Sequence, residues 1–184
     1  MGISEEKTAL RTRYRFERAE RYMEHSFEYL ATSAEISQAH VIASYMSYGT
    51  EPDTRQLNKA LIAAGKKLLL PRIHGENIEW VQCNGESENL QKQGKILEPT
   101  GPIFHELSEI EIVIVPALRI DRSGYRLGQG GGFYDRALPQ LAAWSIGLIH
   151  PDEISSEDLP REPWDHPLNA AATPDLIIRF SQKH

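Results

Sequence analysis

The sequence has little of what marks a secreted, membrane-spanning or nucleic-acid-binding protein. Cys83 is the only cysteine among 184 residues, so no disulfide can form within the chain, and this low count is typical of the reducing cytoplasm. No apolar run approaches the ~18 residues of a membrane span, and the polar N-terminal segment lacks the apolar core of a secretory signal. The net charge of −6 disfavours binding of nucleic acid through a basic surface. We therefore expect a cytoplasmic protein that binds neither membranes nor nucleic acid.

Length and apolar patterning indicate one α/β domain. A chain of 184 residues suits a single domain spanning 1–184, because domains usually have ~100–200 residues. Helices are predicted at 4–31 and 51–65, where apolar side chains recur at helical spacing. Residues 109–120 form an almost continuous apolar run, which is typical of a strand covered on both faces. Because strands alternate with helices, we expect a three-layer monomer with a largely parallel sheet flanked by helices.

Shorter patterns complete the predicted element order. Runs rich in β-branched and aromatic residues predict further strands, and these lie at 40–49, 66–73, 77–83, 145–150 and 175–180. Pro71 is expected to end the second of them. A helix is predicted at 132–144, with Pro139 ending or bending it. The polar segment 84–107 favours no particular element.

The stretch GYRLGQGGGFYDRAL, residues 124–138, carries the strongest functional signal. Five glycines fall within its first nine residues, directly after a predicted strand and before a predicted helix. Ligands in open α/β sheets bind at the carboxyl ends of strands, where glycine backbones and a helix N-terminus can bind an anion. Arg126 would add a guanidinium suited to phosphate. Asp135 would be a natural Mg²⁺ ligand beside it.

Two well-known phosphate motifs do not fit this stretch. No Lys-Ser or Lys-Thr pair follows the glycines, so the loop is not a P-loop. Gly128 and Gly130 could begin a dinucleotide fingerprint, but Phe133 occupies its third glycine position. Composition alone also leaves open a flexible surface loop without a ligand.

The order of residues in the loop resembles a longer signature. RLGQGGGFYDR, residues 126–136, is similar to the R-L-G-x-G-x-G-[FY]-Y-D-R pattern of the 5-formyltetrahydrofolate cyclo-ligase family, also called methenyltetrahydrofolate synthetases. Other family markers occur in the expected order: Lys7 and Arg11, Glu51 before Asp53-Thr54, Glu98-Pro99, Pro116 with Asp121 and Gly124, and Asp165 before Thr173. The resemblance therefore spans almost the whole chain.

This resemblance implies a fold and an activity. The fold would be Rossmann-like, of the NagB/RpiA/CoA-transferase-like type. The activity would be conversion of 5-formyltetrahydrofolate to 5,10-methenyltetrahydrofolate, with ATP as co-substrate, Mg²⁺ as metal, and ADP and phosphate as products. The formyl oxygen would be phosphorylated so that N10 can close the ring.

The resemblance also assigns residues to roles. Arg126 and Tyr134 would be catalytic, and Asp135 and Asp165 would bind Mg²⁺. ATP would be bound by Lys7, Arg11, Arg126, Leu127, Gly128, Gln129, Gly130, Gly131, Gly132, Phe133 and Tyr134. The folate, with one or several glutamates, would be bound by Met46, Glu51, Gln129, Gly130, Gly131, Gly132 and Phe133.

Residue types alone leave simpler interpretations open. Lys7 and Arg11 could be solvated helix charges, and Tyr134 a core tyrosine. Glu51 could be an ordinary acid at a helix start, and Asp165 an ordinary loop acid. Trp80, Trp144 and Trp164 are expected to be packing residues.

Alternative functions are a family member that binds ligands without turnover, and a different α/β enzyme handling sugar phosphates or coenzyme A esters. Gln129, Phe133 and Asn169 depart from common residues of the family, but none removes a group that the chemistry needs.

Overall fold

The structure is a computed structural model that describes residues 1–181. Its α-helices within this range are α1 (Ile3–Arg21), α2 (Ala34–Gln38), α3 (Arg55–Ala63) and α4 (Phe133–Ala137). None of the helices in the described range combines the length and apolarity needed to span a bilayer. Cys83 is buried as a free thiol.

The strands form one large sheet and two small ones. The large sheet has seven strands in the order β12-β11-β9-β6-β1-β2-β3, where the bounds are β1 (Val41–Ala43), β2 (Lys67–His74), β3 (Asn77–Cys83), β6 (Ile112–Pro116), β9 (Trp144–Leu148), β11 (Ala170–Ala172) and β12 (Ile177–Arg179). A two-stranded hairpin consists of β4 (Leu90–Gln93) and β5 (Ile96–Pro99), and a three-stranded sheet of β7 (Arg119–Asp121), β8 (Arg126–Leu127) and β10 (Ile154–Ser155).

The predicted largely parallel sheet is confirmed. Strands β11, β9, β6, β1 and β2 run parallel, whereas the two edge strands β12 and β3 are antiparallel to their neighbours. The apolar run predicted at 109–120 supplies β6, the strand between β1 and β9. A central strand of a parallel sheet is covered on both faces, which is why its sequence does not alternate.

Apolar side chains from both sheet faces pack against flanking elements. On one face, Ile42 and Ile114 share a buried cluster with Leu57 and Leu61 of α3. On the other face, Val113 lies in a second cluster that includes Tyr134 of α4. This arrangement confirms the expected sheet flanked by helices.

Several predicted boundaries were wrong, and packing explains them. The first helix ends at Arg21 instead of residue 31. Phe27 and Leu30 are fully buried but belong to a separate segment with a short 3₁₀ helix at Glu28–Thr32. Pro71 does not end β2, whose pairing with β1 stops at Leu69. Beyond Leu69, no residue of β1 lies opposite β2, so the N–H that Pro71 lacks is not needed for pairing with β1.

Other elements are shorter than their patterns suggested. The strand predicted at 40–49 covers only Val41–Ala43, because the chain then leaves the sheet to form a loop leading to α3. The helix predicted at 132–144 ends at Ala137, and Pro139 lies in the 3₁₀ turn Leu138–Gln140. The polar segment 84–107 holds the β4–β5 hairpin.

Asp121 shapes the turn that leads into the glycine stretch. Its buried carboxylate accepts hydrogen bonds from the backbone N–H groups of Ser123 (2.9 Å), Tyr125 (3.0 Å) and Leu159 (3.0 Å). Gly124 lies inside this turn with a φ of +89°, and its carbonyl accepts the N–H of Leu168 at 2.8 Å. The turn thereby fixes where β8 and Arg126 begin.

We expect Gly124→Ala to destabilise the protein far more than Gly75→Ala. Both glycines have positive φ, which costs an alanine about 1 kcal/mol. At Gly124 the added Cβ would also lie 2.7 Å from the backbone oxygen of Leu168, whereas at Gly75 it meets nothing within 4 Å. Urea unfolding should show a loss of about 3 kcal/mol for the first variant and about 1 kcal/mol for the second. Equal losses would contradict this account of the turn.

Candidate active site

A cavity of about 430 Å³ opens at the carboxyl ends of the parallel strands. Its walls come from one side of α1, the loop after β1, the β2–β3 and β4–β5 hairpins, the end of β6, the glycine stretch and the turn that carries Glu162 and Trp164. Most residues assigned to the site line it: Lys7, Arg11, Met46, Glu51, Arg126, Gly128, Gln129, Gly130, Gly131, Gly132, Phe133, Tyr134 and Asp135. Leu127 is buried and does not line the cavity. Asp165 lies behind the lining, in contact with Lys7.

The glycine stretch, residues 128–132, is held against α1 by two arginines. Arg11 Nε donates to the carbonyl of Gly128 at 2.9 Å. Arg15 donates to the carbonyl of Gln129 at 2.7 Å and to its side-chain oxygen at 2.8 Å. At Gly128 an added Cβ would lie 2.5 Å from Arg126 Nη1. The absence of a side chain therefore lets the backbone lie directly against the Arg126 guanidinium.

Arg126 projects from β8 into the cavity floor. Its Nη1 donates to the carbonyl of Pro116 at 3.1 Å, and its Nη2 lies 3.4 Å from Asp135 Oδ1. Its Nε is buried without a hydrogen-bond partner. Burial lowers the pKa of Arg126, partly offset by the charges of Asp135, Tyr134 and Asp165. The guanidinium is thus a desolvated cation with spare donor capacity, which suits an anionic ligand.

Lys7 is buried between two carboxylates. Only 6% of this residue is exposed, so it is not a solvated helix charge. Its Nζ donates to Glu162 at 2.9 Å and to Asp165. The N–H of Glu162 in turn donates to Asp165 at 2.8 Å, which fixes the turn carrying both acids. Because Glu162 and Asp165 hold the Lys7 ammonium group in place, a phosphate that reached Lys7 would meet a cation that is already oriented.

The acids around the cavity are compatible with a magnesium ion. Asp135 Oδ1 lies 3.4 Å from Arg126 Nη2, and Asp165 contacts Lys7, which lines the same cavity. Oxygen donors of this kind are what Mg²⁺ prefers, usually with phosphate oxygens and water completing its shell. Residues 1–181 contain no group of three or more histidine, cysteine or acidic side chains gathered for a metal.

The opposite end of the cavity contains a buried carboxyl group. Glu51 is 9% exposed and accepts the N–H of Tyr48 at 3.0 Å. Burial raises its pKa to about 7, although the Tyr48 N–H and the charge of Arg18 act in the other direction. Nearby, the Tyr45 hydroxyl is buried without a hydrogen-bond partner. These groups offer an acceptor and a free hydroxyl to a polar ring edge.

The loop carrying this end is rigid. The Thr54 hydroxyl donates to the carbonyl of Tyr45 at 2.7 Å and accepts the N–H of Ser47 at 3.1 Å. Asn58 donates to the same carbonyl at 3.0 Å. Met46, which lines the cavity, is therefore presented by a backbone anchored to the first turn of α3.

Sequence reasoning did not assign a role to several lining residues. Arg18 is almost fully buried and forms a two-pronged ion pair with Glu153, with N–O distances of 2.9 and 2.7 Å. It also donates to the carbonyl of Ala117 at 2.7 Å. The sequence offered one signal that Arg18 belongs to the site: it follows Arg11 by seven residues and therefore lies on the same face of the helix. Other unassigned lining residues include the polar or aromatic side chains of Tyr45, Glu98, Glu162 and Trp164, and an apolar group formed by Pro71, Ile73, Ile78, Ile96 and Leu97.

Comparison with known proteins identifies the family of this chain. A sequence model of the 5-formyltetrahydrofolate cyclo-ligase family matches residues 3–174. The cyclo-ligase of Escherichia coli K12 is 34% identical over 156 residues, covering 80% of this chain and 85% of its own. That of Mycolicibacterium smegmatis is 32% identical, with 72% of this chain and 73% of its own covered.

A solved structure extends the likeness to the fold. The solution structure of 5,10-methenyltetrahydrofolate synthetase from Aquifex aeolicus superposes with a TM-score of 0.80 at 25% identity. The match covers 97% of this chain and 94% of that one. With its sequence, fold and cavity in agreement, the chain belongs to the 5-formyltetrahydrofolate cyclo-ligase family.

Proposed function

We propose that this chain converts 5-formyltetrahydrofolate to 5,10-methenyltetrahydrofolate in a reaction driven by ATP with Mg²⁺. The conversion itself follows from family membership. The use of ATP and Mg²⁺ is supported by one observation above all. Lys7, Arg11 and Arg126 line the same cavity as the glycine stretch and the buried Glu51. One end thus suits a polyphosphate, and the other suits a neutral polar ring.

The chemistry explains why a nucleotide is needed. The formyl group on N5 is an amide, so its carbon is a poor electrophile and its oxygen a poor leaving group. Transfer of the γ-phosphoryl group to that oxygen breaks the bond to ADP and makes the oxygen part of a phosphate. N10 then attacks the formyl carbon, phosphate departs, and the proton on N10 is released as the ring closes. Catalysis of phosphoryl transfer consists mainly of positioning and charge stabilisation.

The cationic end of the cavity supplies both positioning and charge stabilisation. Arg126, with its unpartnered Nε, and Lys7 would hold the transferred phosphoryl group, and glycine N–H groups of residues 128–132 would add donors without steric conflict. Tyr134 lies with its ring 5.4 Å from the Arg126 guanidinium. It would limit the movement of that guanidinium while lining the site.

Two acids would hold the metal beside the phosphates. Asp135 and Asp165 are the residues that we propose as Mg²⁺ ligands, and Asp165 would exchange its contact with Lys7 for the ion. When bound, Mg²⁺ would neutralise charge on the phosphate oxygens. Lys7 would then be free to pair with phosphate in place of Asp165.

The folate would occupy the rest of the cavity. Glu51 would accept hydrogen bonds from neighbouring N–H donors of the pterin edge, as a carboxylate does most strongly when ionised. Met46 would give an apolar contact to the same ring system. Residues 129–133 would lie between the pterin and the nucleotide, next to the formyl group.

The alternative function, a family member that binds ligands without turnover, has less support. Every side chain that we assign to the reaction is present, from Lys7 to Asp165, and these side chains lie in or next to the lining of one cavity. We further propose that the protein works as a cytoplasmic monomer on folates with one or several glutamates.

Near-ultraviolet absorbance tests the proposal, because methenyltetrahydrofolate absorbs there and its precursor does not. Purified protein with 5-formyltetrahydrofolate should give a rise that requires both ATP and Mg²⁺. Arg126→Gln should lower the rate by a factor of about 100 or more, since a buried donor to the transferred group is lost. Arg122→Gln, which changes an exposed arginine in the preceding turn, should leave the rate unchanged. A rise without ATP, or equal rates in both variants, would refute the proposal.

Glu51 should make stability depend on pH. Its folded pKa of about 7 lies above the usual 4.5, so the folded protein binds the extra proton between these values and loses stability as pH rises through them. Glu51→Gln should therefore raise the free energy of unfolding by about 3 kcal/mol near pH 8 and by about 1 kcal/mol or less near pH 5. The exposed control Glu20→Gln should show no such dependence.

The same substitution should weaken folate binding, because Gln offers no ionised acceptor. Calorimetric titration with 5-formyltetrahydrofolate should show a loss of about tenfold or more. A variant that is neither stabilised at high pH nor impaired in folate binding would contradict the assigned role of Glu51.

A further inference from the structure

Trp164 is an exposed aromatic residue on the wall of the active-site cavity. Its side chain was expected to pack in the interior, yet 58% of the residue is exposed while it lines the cavity. By contrast, Trp80 is 3% exposed and lies in the core. Large apolar groups left open inside a ligand cavity commonly contact the ligand. The position of Trp164 relative to the other groups indicates which part of a ligand it meets.

Helix α1 gives the order of groups along the cavity. Ser4, Lys7, Arg11 and Arg18 all line it, and at 1.5 Å per residue they extend over roughly 21 Å of helix axis. The Arg18 end is also the Glu51 end: Arg18 pairs with Glu153, Glu153 accepts the N–H of His150, and the His150 ring donates to the carbonyl of Thr50, the residue before Glu51. The Ser4 end is therefore the one farthest from the proposed pterin position.

Trp164 belongs to the Ser4 end. It lies in the turn between Glu162 and Asp165, and both of these acids bind Lys7, one helical turn after Ser4. The turn is closed by the hydrogen bond from the Glu162 N–H to Asp165. The turn that carries the indole is thus attached at Lys7, near the Ser4 end of the helix, and the indole lines the cavity there.

Along α1, a nucleotide bound by its phosphates at Lys7 and Arg11 can extend toward Glu51 or toward Ser4. The direction toward Glu51 is filled by the folate in the proposed reaction. The remaining direction leads past Ser4 to Trp164. We propose that the indole of Trp164 stacks on the purine base of ATP, an inference that rests on the proposed function. Stacking on a flat aromatic face adds affinity for any planar base without hydrogen-bonded readout.

Inorganic tripolyphosphate has the phosphate chain of ATP without its base. Comparing the two ligands therefore separates the contribution of the base to binding from that of the phosphates. Binding of Mg-ATP and of Mg-tripolyphosphate to the full chain would be measured by calorimetry for the wild type, Trp164→Ala and Trp164→Phe. Trp164→Ala should weaken ATP binding by about tenfold and leave tripolyphosphate binding unchanged, whereas Trp164→Phe should retain most of the affinity for ATP. Phe16→Ala is the matched control, because Phe16 is 67% exposed and does not line the cavity.

Each other outcome overturns the inference in a distinguishable way. Equal weakening of both ligands would mean that Trp164 acts by holding the turn around Lys7. Unchanged ATP binding, with weaker binding of 5-formyltetrahydrofolate, would assign Trp164 to the folate, and the proposed function would stand. A wild-type protein that binds neither ATP nor tripolyphosphate would overturn the proposed function together with this inference.

Discussion

The active site depends on the attachment of α1 by charge and hydrogen bonds. This helix of 19 residues buries only Lys7 and Arg18, so no apolar face holds it in place. Instead, Arg11 and Arg15 bind carbonyl groups of the glycine stretch, and Arg18 binds Glu153. Withdrawing the helix would leave buried charges without partners, which is strongly unfavourable. The helix that lines the cavity therefore also supplies Lys7, Arg11 and Arg18, whereas Arg126 comes from β8.

Charge compensation in the cavity is incomplete in a way that favours a polyphosphate. The chain as a whole is acidic, with a net charge of −6, yet four basic residues, Lys7, Arg11, Arg18 and Arg126, line the cavity. Lys7 is compensated by two acids, and Arg126 has only a long contact with Asp135. Electrostatic interactions are strong where water is excluded. A phosphate chain with Mg²⁺ could exchange places with these acids without leaving any of the ions unpaired.

Local patterns predicted the sheet and the glycine stretch, and long-range contacts account for what they missed. The apolar run in β6 and the glycine order are each readable from neighbouring residues. The Arg18–Glu153 pair joins residues 135 positions apart, so no local pattern could reveal it. The end of α1 was misplaced because Phe27 and Leu30 continue a helical spacing by chance while packing into the core. Trp164 was expected to lie in the core because the sequence does not reveal the cavity into which its side chain is exposed.

The fate of the formyl oxygen tests the central claim, that phosphate groups bound at the α1 cations activate that oxygen. 5-Formyltetrahydrofolate labelled with ¹⁸O in its formyl group would be converted with unlabelled ATP, and the released phosphate analysed by mass spectrometry. The account expects one ¹⁸O atom in each phosphate released, because the formyl oxygen departs with the transferred phosphoryl group. Unlabelled phosphate, with the ¹⁸O recovered in water, would show that ATP hydrolysis and ring closure are chemically separate and would contradict the account.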